Sequence, residues 1–405
     1  MTININKNSE EIPVIVVVQS FLVAVFADIK TLNYALTYGG FVGDGIMSLL
    51  YPSIIVMIII SVFFSKNSIK CKFNKWSIFI PLYIFLFYFY TKIFIGDPHV
   101  SILLFITFVI AAFFVMHFTY VNTQIVLKII MILPFFSVFK LDKIFVSSFS
   151  WLDAISMDCS YSYLVPIAAN IVYMLFYFKN ERLKHKIITI VFTGINTIIL
   201  SKILLYGSRG PILCLALLLF FLWFSKVDEF GFTIKKRKIL FVLVLLFCVT
   251  IMLNEFIYFV NFLLESFGLK IRAITKIMEL SAEDNISNGR SEIIEVAIHN
   301  IWKRPFFGWG LDRFQYNTGI PYPHNFIIQI LYDGGILLFV VLSPIIYKTK
   351  TRFLICNKEE YILLSFLLFS SVPAAFFSQD LWKNTLLWMY FGSVITNSFI
   401  LKKDE

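Results

Sequence analysis

The residues able to do chemistry concentrate between Gly289 and Gly335, where arginines, carboxylates, aromatics, glycines and His324 interrupt long runs of Ile, Leu, Val and Phe. From Ser291 to Lys303 the apolar residues Ile293, Ile294, Ala297, Ile298 and Ile301 recur at helical spacing, which predicts an amphipathic helix lying on the membrane or on the helix bundle. Asn288 or Ser291 can cap it, and Arg290 stands at its start, where backbone N–H groups have no partner. A guanidinium beside a helix N-terminus is an anion site suited to phosphate, which Arg binds bidentately. The plainer alternative is a solvated ion pair with Glu292 or Glu295. His324 follows Pro321-Tyr322-Pro323 and precedes Asn325. A lone histidine is more often structural, yet a neutral imidazole facing arginines at a helix mouth can serve as a general base near neutral pH.

A second candidate lies upstream, in the turn Gly207-Ser208-Arg209-Gly210-Pro211 between two apolar runs. Its glycines allow close approach of a ligand to the backbone. If the preceding helix continues to Arg209, Lys202 and Arg209 share one face about two turns apart; for Lys202 the simpler role is snorkelling to the interface. Glu255 and Asp333 fall within or near apolar runs, where each could partner an arginine or cap a helix. His99, His117, His185 and His299 sit in less suggestive positions. The cysteines Cys71, Cys159, Cys214, Cys248 and Cys356 form no CxxC and no metal spacing with histidine, and no DxD or HExxH cluster is present, so neither a metal nor another cofactor is expected.

The elements that must hold these residues are membrane helices. Of 405 residues, 59% are hydrophobic and 15% charged, with 47 Phe, and mean hydropathy is +0.82, the composition of an all-α polytopic membrane protein. About 12 spans are expected, at roughly 12–27, 45–64, 76–95, 99–118, 122–139, 161–178, 187–206, 210–224, 239–258, 325–347, 360–377 and 382–400. The fifth, carrying Lys128, and the short eighth have the weakest pattern. The first run lacks a basic n-region and a cleavage site and reads as a retained span.

With these spans, the clusters Lys66/Lys70/Lys72/Lys75, Lys179/Arg182/Lys184/Lys186, Lys226/Lys235/Lys236/Arg237/Lys238 and Lys348/Lys350/Arg352 all fall on one side, with Lys402 and Lys403. That side is the cytoplasm by the positive-inside rule. Both termini then lie there, while Arg209, the loop 259–323 and His324 face the opposite side. The formal charge of +10 is accounted for by these short loops, so no nucleic-acid partner is expected. Residues 1–405 form one membrane domain with one large external loop, 259–323, before the tenth span.

Taken in order, Ser208-Arg209-Gly210, Gly289-Arg290, Trp302-x-Arg304-Pro305-x-x-Gly308-x-Gly310 and His324-Asn325 with its spacing to Gly335 resemble the O-antigen ligase and polymerase superfamily of bacterial envelopes. The resemblance runs from about Leu200 to Gly335; the first five spans match only in hydropathy. It implies a metal-independent glycosyltransferase of GT-C-like membrane fold in the bacterial inner membrane, with a periplasmic site and a donor glycan on undecaprenyl pyrophosphate. It also implies that Arg209 and Arg290 bind the pyrophosphate and that His324 takes the proton from the attacking hydroxyl. Lys202, Arg304 and Asn325 join them as candidate substrate contacts, and membrane lipids and a chain-length regulator protein are the further partners expected. A ligase passes the glycan to lipid A-core; a polymerase passes it to the next lipid-linked repeat. The ligase form of the histidine motif ends in Gly, Thr or Tyr where this chain has Leu338, which tilts the expectation to polymerase. A flippase or transporter is the alternative of another class, but no matching halves with interrupted helices are apparent.

Overall fold

The computed structural model describes residues 2–4, 11–39, 47–64, 74–140, 153–206, 209–228, 231–234, 266, 268, 290–396 and 400. The expected ninth span, Glu255, most of the external loop before Arg290 and several basic clusters lie outside them. The chain is an all-α polytopic membrane protein. Its helices are α1 (Val14–Ala27), α2 (Ile29–Gly39), α3 (Met47–Phe64), α4 (Lys75–Ile95) and α5 (Ile102–Phe118). These are followed by α6 (Thr123–Ile132), α7 (Asp153–Phe176), α8 (Leu183–Tyr206) and α9 (Arg209–Phe224). The outer loop contributes α10 (Arg290–Lys303) and α11 (Phe314–Thr318), before α12 (Phe326–Ile355), α13 (Lys358–Phe377) and α14 (Thr385–Ile395). Three 3-10 segments, Leu133–Lys140, Phe178–Asn180 and Leu381–Lys383, and two short antiparallel ladders, Thr2–Asn4 with Glu11–Pro13 and Ser225–Asp228 with Gly231–Ile234, complete the described elements.

Each expected span within the described residues coincides with an apolar helix, and α2 is a helix that hydropathy did not predict. Among the described residues, five helices are long and apolar enough to cross a membrane, and the other apolar helices are shorter. Burial sorts them: 78% of Cys159–Phe176 and 72% of Lys358–Phe377 lie inside the bundle, against 28% of Leu183–Leu204 and 33% of Lys75–Ile95. So α7 and α13 form the centre, with α14, whose residues Thr385 to Ile395 are all buried. α4 and α8 turn Ile78, Phe79, Leu82, Ile187 and Val191 outward, as lipid-facing helices must. Asparagine caps start several helices: Asn74 before α4, Asn325 before α12, Asn357 before α13 and Asn384 before α14 each accept from first-turn N–H groups.

The Lys128 ammonium in the weak fifth span is paired at 2.7 Å with Glu181, whose carboxylate also accepts from Thr189 at 2.8 Å. That partner is what lets α6 carry a cation. Asp333 differs from expectation: its Oδ2 accepts from Trp382 Nε1 at 2.6 Å rather than from an arginine.

One end of the bundle gathers the turn after α4, the loop 304–325 and the segment 378–385. Arg313 donates to the Asp97 carbonyl at 2.8 Å and Leu311 N–H to Thr91 Oγ1 at 2.9 Å. Exposed Trp302, Phe306, Phe307 and Tyr316 surround this end, as aromatics do at a membrane interface.

Candidate functional site

α12 is broken at Gly335, whose φ of 62° and ψ of −158° are non-helical. The break frees backbone groups at membrane depth, where each needs a partner. The loop carrying Trp302-x-Arg304-Pro305-x-x-Gly308-x-Gly310 supplies them. Trp309 and Gly310 N–H groups donate to the Tyr332 and Asp333 carbonyls, each at 2.8 Å, while Ile336 and Leu337 donate to Pro305 and Phe306 carbonyls at 2.8 and 3.2 Å. A Cβ on Gly308 would come within 2.3 Å of the Asp333 carbonyl oxygen, and its φ is +65°. The motif is therefore a backbone clamp that holds the mouth of α12, and with it His324, in place.

α10 starts at Arg290 and packs its apolar side on this clamp: Ala297 is buried with Phe314 and Tyr332, beside Ile293, Ile301 and Ile328. The amphipathic helix thus lies on the bundle. Arg304 is exposed with its guanidinium 4.3 Å from the Trp309 ring centroid. Asn325 caps α12, its Oδ1 accepting from Ile327 and Ile328 N–H at 3.0 and 3.2 Å.

Arg290, through Ser378, and His324, through Tyr322, are both brought to the end of α13. Arg290 donates to Ser378 Oγ at 3.1 Å and, among the described residues, makes no ion pair with Glu292 or Glu295. Tyr322 donates to the Ser378 carbonyl at 2.5 Å, and its ring centroid lies 4.4 Å from that of His324. His324 has φ +53°, a left-handed conformation that is strained for a side-chain-bearing residue and is held here by its surroundings. Its Nδ1 is buried and has no hydrogen-bond partner among the described residues. Burial first, and the nearby Arg290 charge second, lower the imidazole pKa to about 4, so the ring is neutral at pH 7.

The α9 terminus reaches the same place through Tyr161. A Cβ on Gly210 would fall 1.7 Å from the Tyr161 hydroxyl oxygen, so only glycine permits this approach. That phenol lies within electrostatic reach of Ser378, Arg290, Tyr322 and Cys214. Helix α8 is described to Tyr206 and α9 from Arg209, and the expected alignment of Lys202 with Arg209 turns on Gly207 and Ser208 between them. Lys202 is half-buried one turn before the end of α8; Gly207, Ser208 and the Arg209 side chain lie outside the described residues.

Sequence reasoning missed Ser378, Tyr322 and Tyr161. Tyr322 carried a signal in Pro-Tyr-Pro; Ser378 and Tyr161, at the ends of apolar helices, carried none. The arrangement offers a guanidinium, a strained neutral imidazole with an unpaired nitrogen, and phenols near the end of α13, groups that can hold an anion and accept a proton. No curated protein matches the chain. Residues 194–343, which enclose Arg209, Arg290 and His324 together with the Gly308–Gly335 clamp, are similar to the family whose model is described as O-antigen ligase.

Proposed function

We propose that the protein is an O-antigen polymerase of the bacterial inner membrane, acting on the periplasmic side with both termini in the cytoplasm. It transfers the growing glycan from undecaprenyl pyrophosphate to the next lipid-linked repeat unit. The observation that carries this reading is the gathering of Arg290 and His324 at the end of α13, through Ser378 and Tyr322, with the His324 Nδ1 unpaired among the described residues. In the proposed step Arg290, with Arg209, holds the donor diphosphate. His324 takes the proton of the acceptor hydroxyl as its oxygen bonds to the donor anomeric carbon. The bond from that carbon to the diphosphate oxygen breaks, and undecaprenyl diphosphate leaves with the electron pair, its charge neutralised by the guanidiniums.

The electrostatics suit this order of events. An empty site holds the imidazole neutral, ready to accept; diphosphate bound at Arg290 offsets the repelling charge and raises the basicity of the ring when it is needed. No metal is required to balance the phosphate charge. Lys202, Arg304 and Asn325 are proposed as further substrate contacts. The stack on Trp309 uses the face of the Arg304 guanidinium and leaves its N–H edges for a ligand. The Asn325 cap uses Oδ1 and leaves the amide nitrogen. A chain-length regulator would be the protein partner.

A ligase reading keeps the same chemistry and changes the acceptor to lipid A-core; the description of the matching family favours it, and Leu338 at the end of the histidine motif favours polymerase. A flippase finds less support, because the polar groups gather at one end of the bundle and not at mid-membrane. The test is a lipopolysaccharide gel of a deletion strain complemented with wild type, Arg290→Ala or His324→Ala at equal membrane expression. A polymerase leaves core bearing a single repeat on deletion, and only wild type restores the ladder. Bare core with accumulated lipid-linked polymer would reassign the protein as the ligase, and an unchanged ladder would sink both.

A further inference from the structure

Tyr161 stands near the start of α7, outside the stretch 194–343. It is 2% exposed, and its hydroxyl has no hydrogen-bond partner among the described residues. Other buried tyrosines of the bundle are satisfied. Tyr88 donates to the Val100 carbonyl at 3.1 Å, and Tyr163, two residues further along α7, donates to Ser137 Oγ at 2.7 Å. A buried hydroxyl left unmet costs about 1–3 kcal/mol unless something else bonds it. The backbone leaves room for this one: at Gly210 any side chain would collide with the phenol oxygen.

The neighbours of the hydroxyl decide what it can bond. Gly210 belongs to the first turn of α9, a helix of 16 residues whose opening N–H groups have no helical partner and carry the positive end of its dipole. Arg290 lies within electrostatic reach of the phenol, and a guanidinium only donates. Ser378 Oγ accepts from Arg290 at 3.1 Å and gives its own proton to the Phe377 carbonyl, while the Ser378 carbonyl accepts from Tyr322. The phenol is thus a donor set among donors, beside a cation and a helix N-terminus. A place that wants an acceptor and favours negative charge suits a phosphate oxygen, and not a cation or an apolar tail.

We infer that the Tyr161 hydroxyl donates to the diphosphate of the lipid-linked donor, as a substrate contact that α7 supplies beside Arg290. The inference rests on the proposed transferase function and deepens it. As the bond to the anomeric carbon breaks, the departing diphosphate gains charge, and the hydrogen bond from Tyr161 strengthens with it. The test is direct binding by the purified full-length protein to undecaprenyl pyrophosphate, with undecaprenol as the phosphate-free probe, for wild type, Tyr161→Phe and Arg290→Ala. Tyr161→Phe keeps the ring and removes only a hydroxyl that bonds nothing among the described residues, so it melts at the wild-type temperature or above. It binds undecaprenyl pyrophosphate about tenfold more weakly, the worth of one hydrogen bond to a charged group, and binds undecaprenol as wild type does. If Tyr161→Phe melts lower or fails to fold, the hydroxyl serves the protein itself and the inference is wrong. Equal affinity of Tyr161→Phe and wild type for undecaprenyl pyrophosphate overturns it too, and in both cases a loss with Arg290→Ala leaves the pyrophosphate reading standing. If wild type binds undecaprenyl pyrophosphate no better than undecaprenol, both readings fall.

Discussion

At the scale of single residues, the proposed base is His324, and its two perturbing influences can be separated by pH. Burial and the Arg290 charge bring the ring from 6.5 to about 4, so the acid limb of kcat/KM for wild type falls near pH 4. Arg290→Gln removes the second cause and leaves the first; its residual activity shows an acid limb displaced upward but still below 6.5. A wild-type limb at the ordinary histidine value would show that the ring is not shielded. The stability sign agrees: between about pH 4 and 6.5 the unfolded chain binds a proton that the folded one refuses, so stability rises with pH across that window. Arg290 and His324 were legible because an arginine at a helix start and a histidine after Pro-Tyr-Pro are local signals. Ser378 and Tyr161 were not, since they enter the pocket only when helices distant in sequence pack together.

Among the elements, the loop 304–310 and the broken helix α12 form one unit. A motif of scattered glycines looked weak in sequence because spacing shows where glycines are and not which backbone they must approach. The structure gives the reason: Gly308 lies against the Asp333 carbonyl, and Gly335 turns the helix so that this carbonyl is exposed to it. Gly308→Ala therefore adds a clash at 2.3 Å to an unfavourable φ of +65°. It should cost about 3 kcal/mol or more and abolish activity. Gly319→Ala is the control: its φ is +74° but nothing lies within 4 Å of the added methyl, so it costs only the ~1–2 kcal/mol of the left-handed conformation. Thermal melts in detergent distinguish them; equal losses would mean that the clamp is not under steric constraint. The amphipathic pattern of α10 was readable to within a residue, although its choice of the bundle over the lipid depended on Phe314 and Tyr332, which no periodicity announces.

For the whole molecule, the order of spans was the most legible property, because lipid demands long apolar helices and says so in composition. What hydropathy could not supply was their depth in the bundle: α7 and α8 are both apolar, yet the first is central and the second faces outward. Sidedness is open to test. In a cysteine-free background, Tyr316→Cys, 75% exposed at the end of the bundle that holds the pocket, should react with an impermeant maleimide added to intact cells, and Lys184→Cys should react only after lysis. The reverse result would invert the topology and move the chemistry to the cytoplasm. The clamp also bears on biogenesis. The Tyr332 and Asp333 carbonyls, bare without Trp309 and Gly310, make the outer half of the tenth span an unfavourable guest in hydrocarbon. The ribosome delivers the clamp before that span, so translocation of the loop has to precede final seating of the helix. A chain whose loop stalls in the translocon would carry an unseated tenth span, exposed to membrane quality-control proteases.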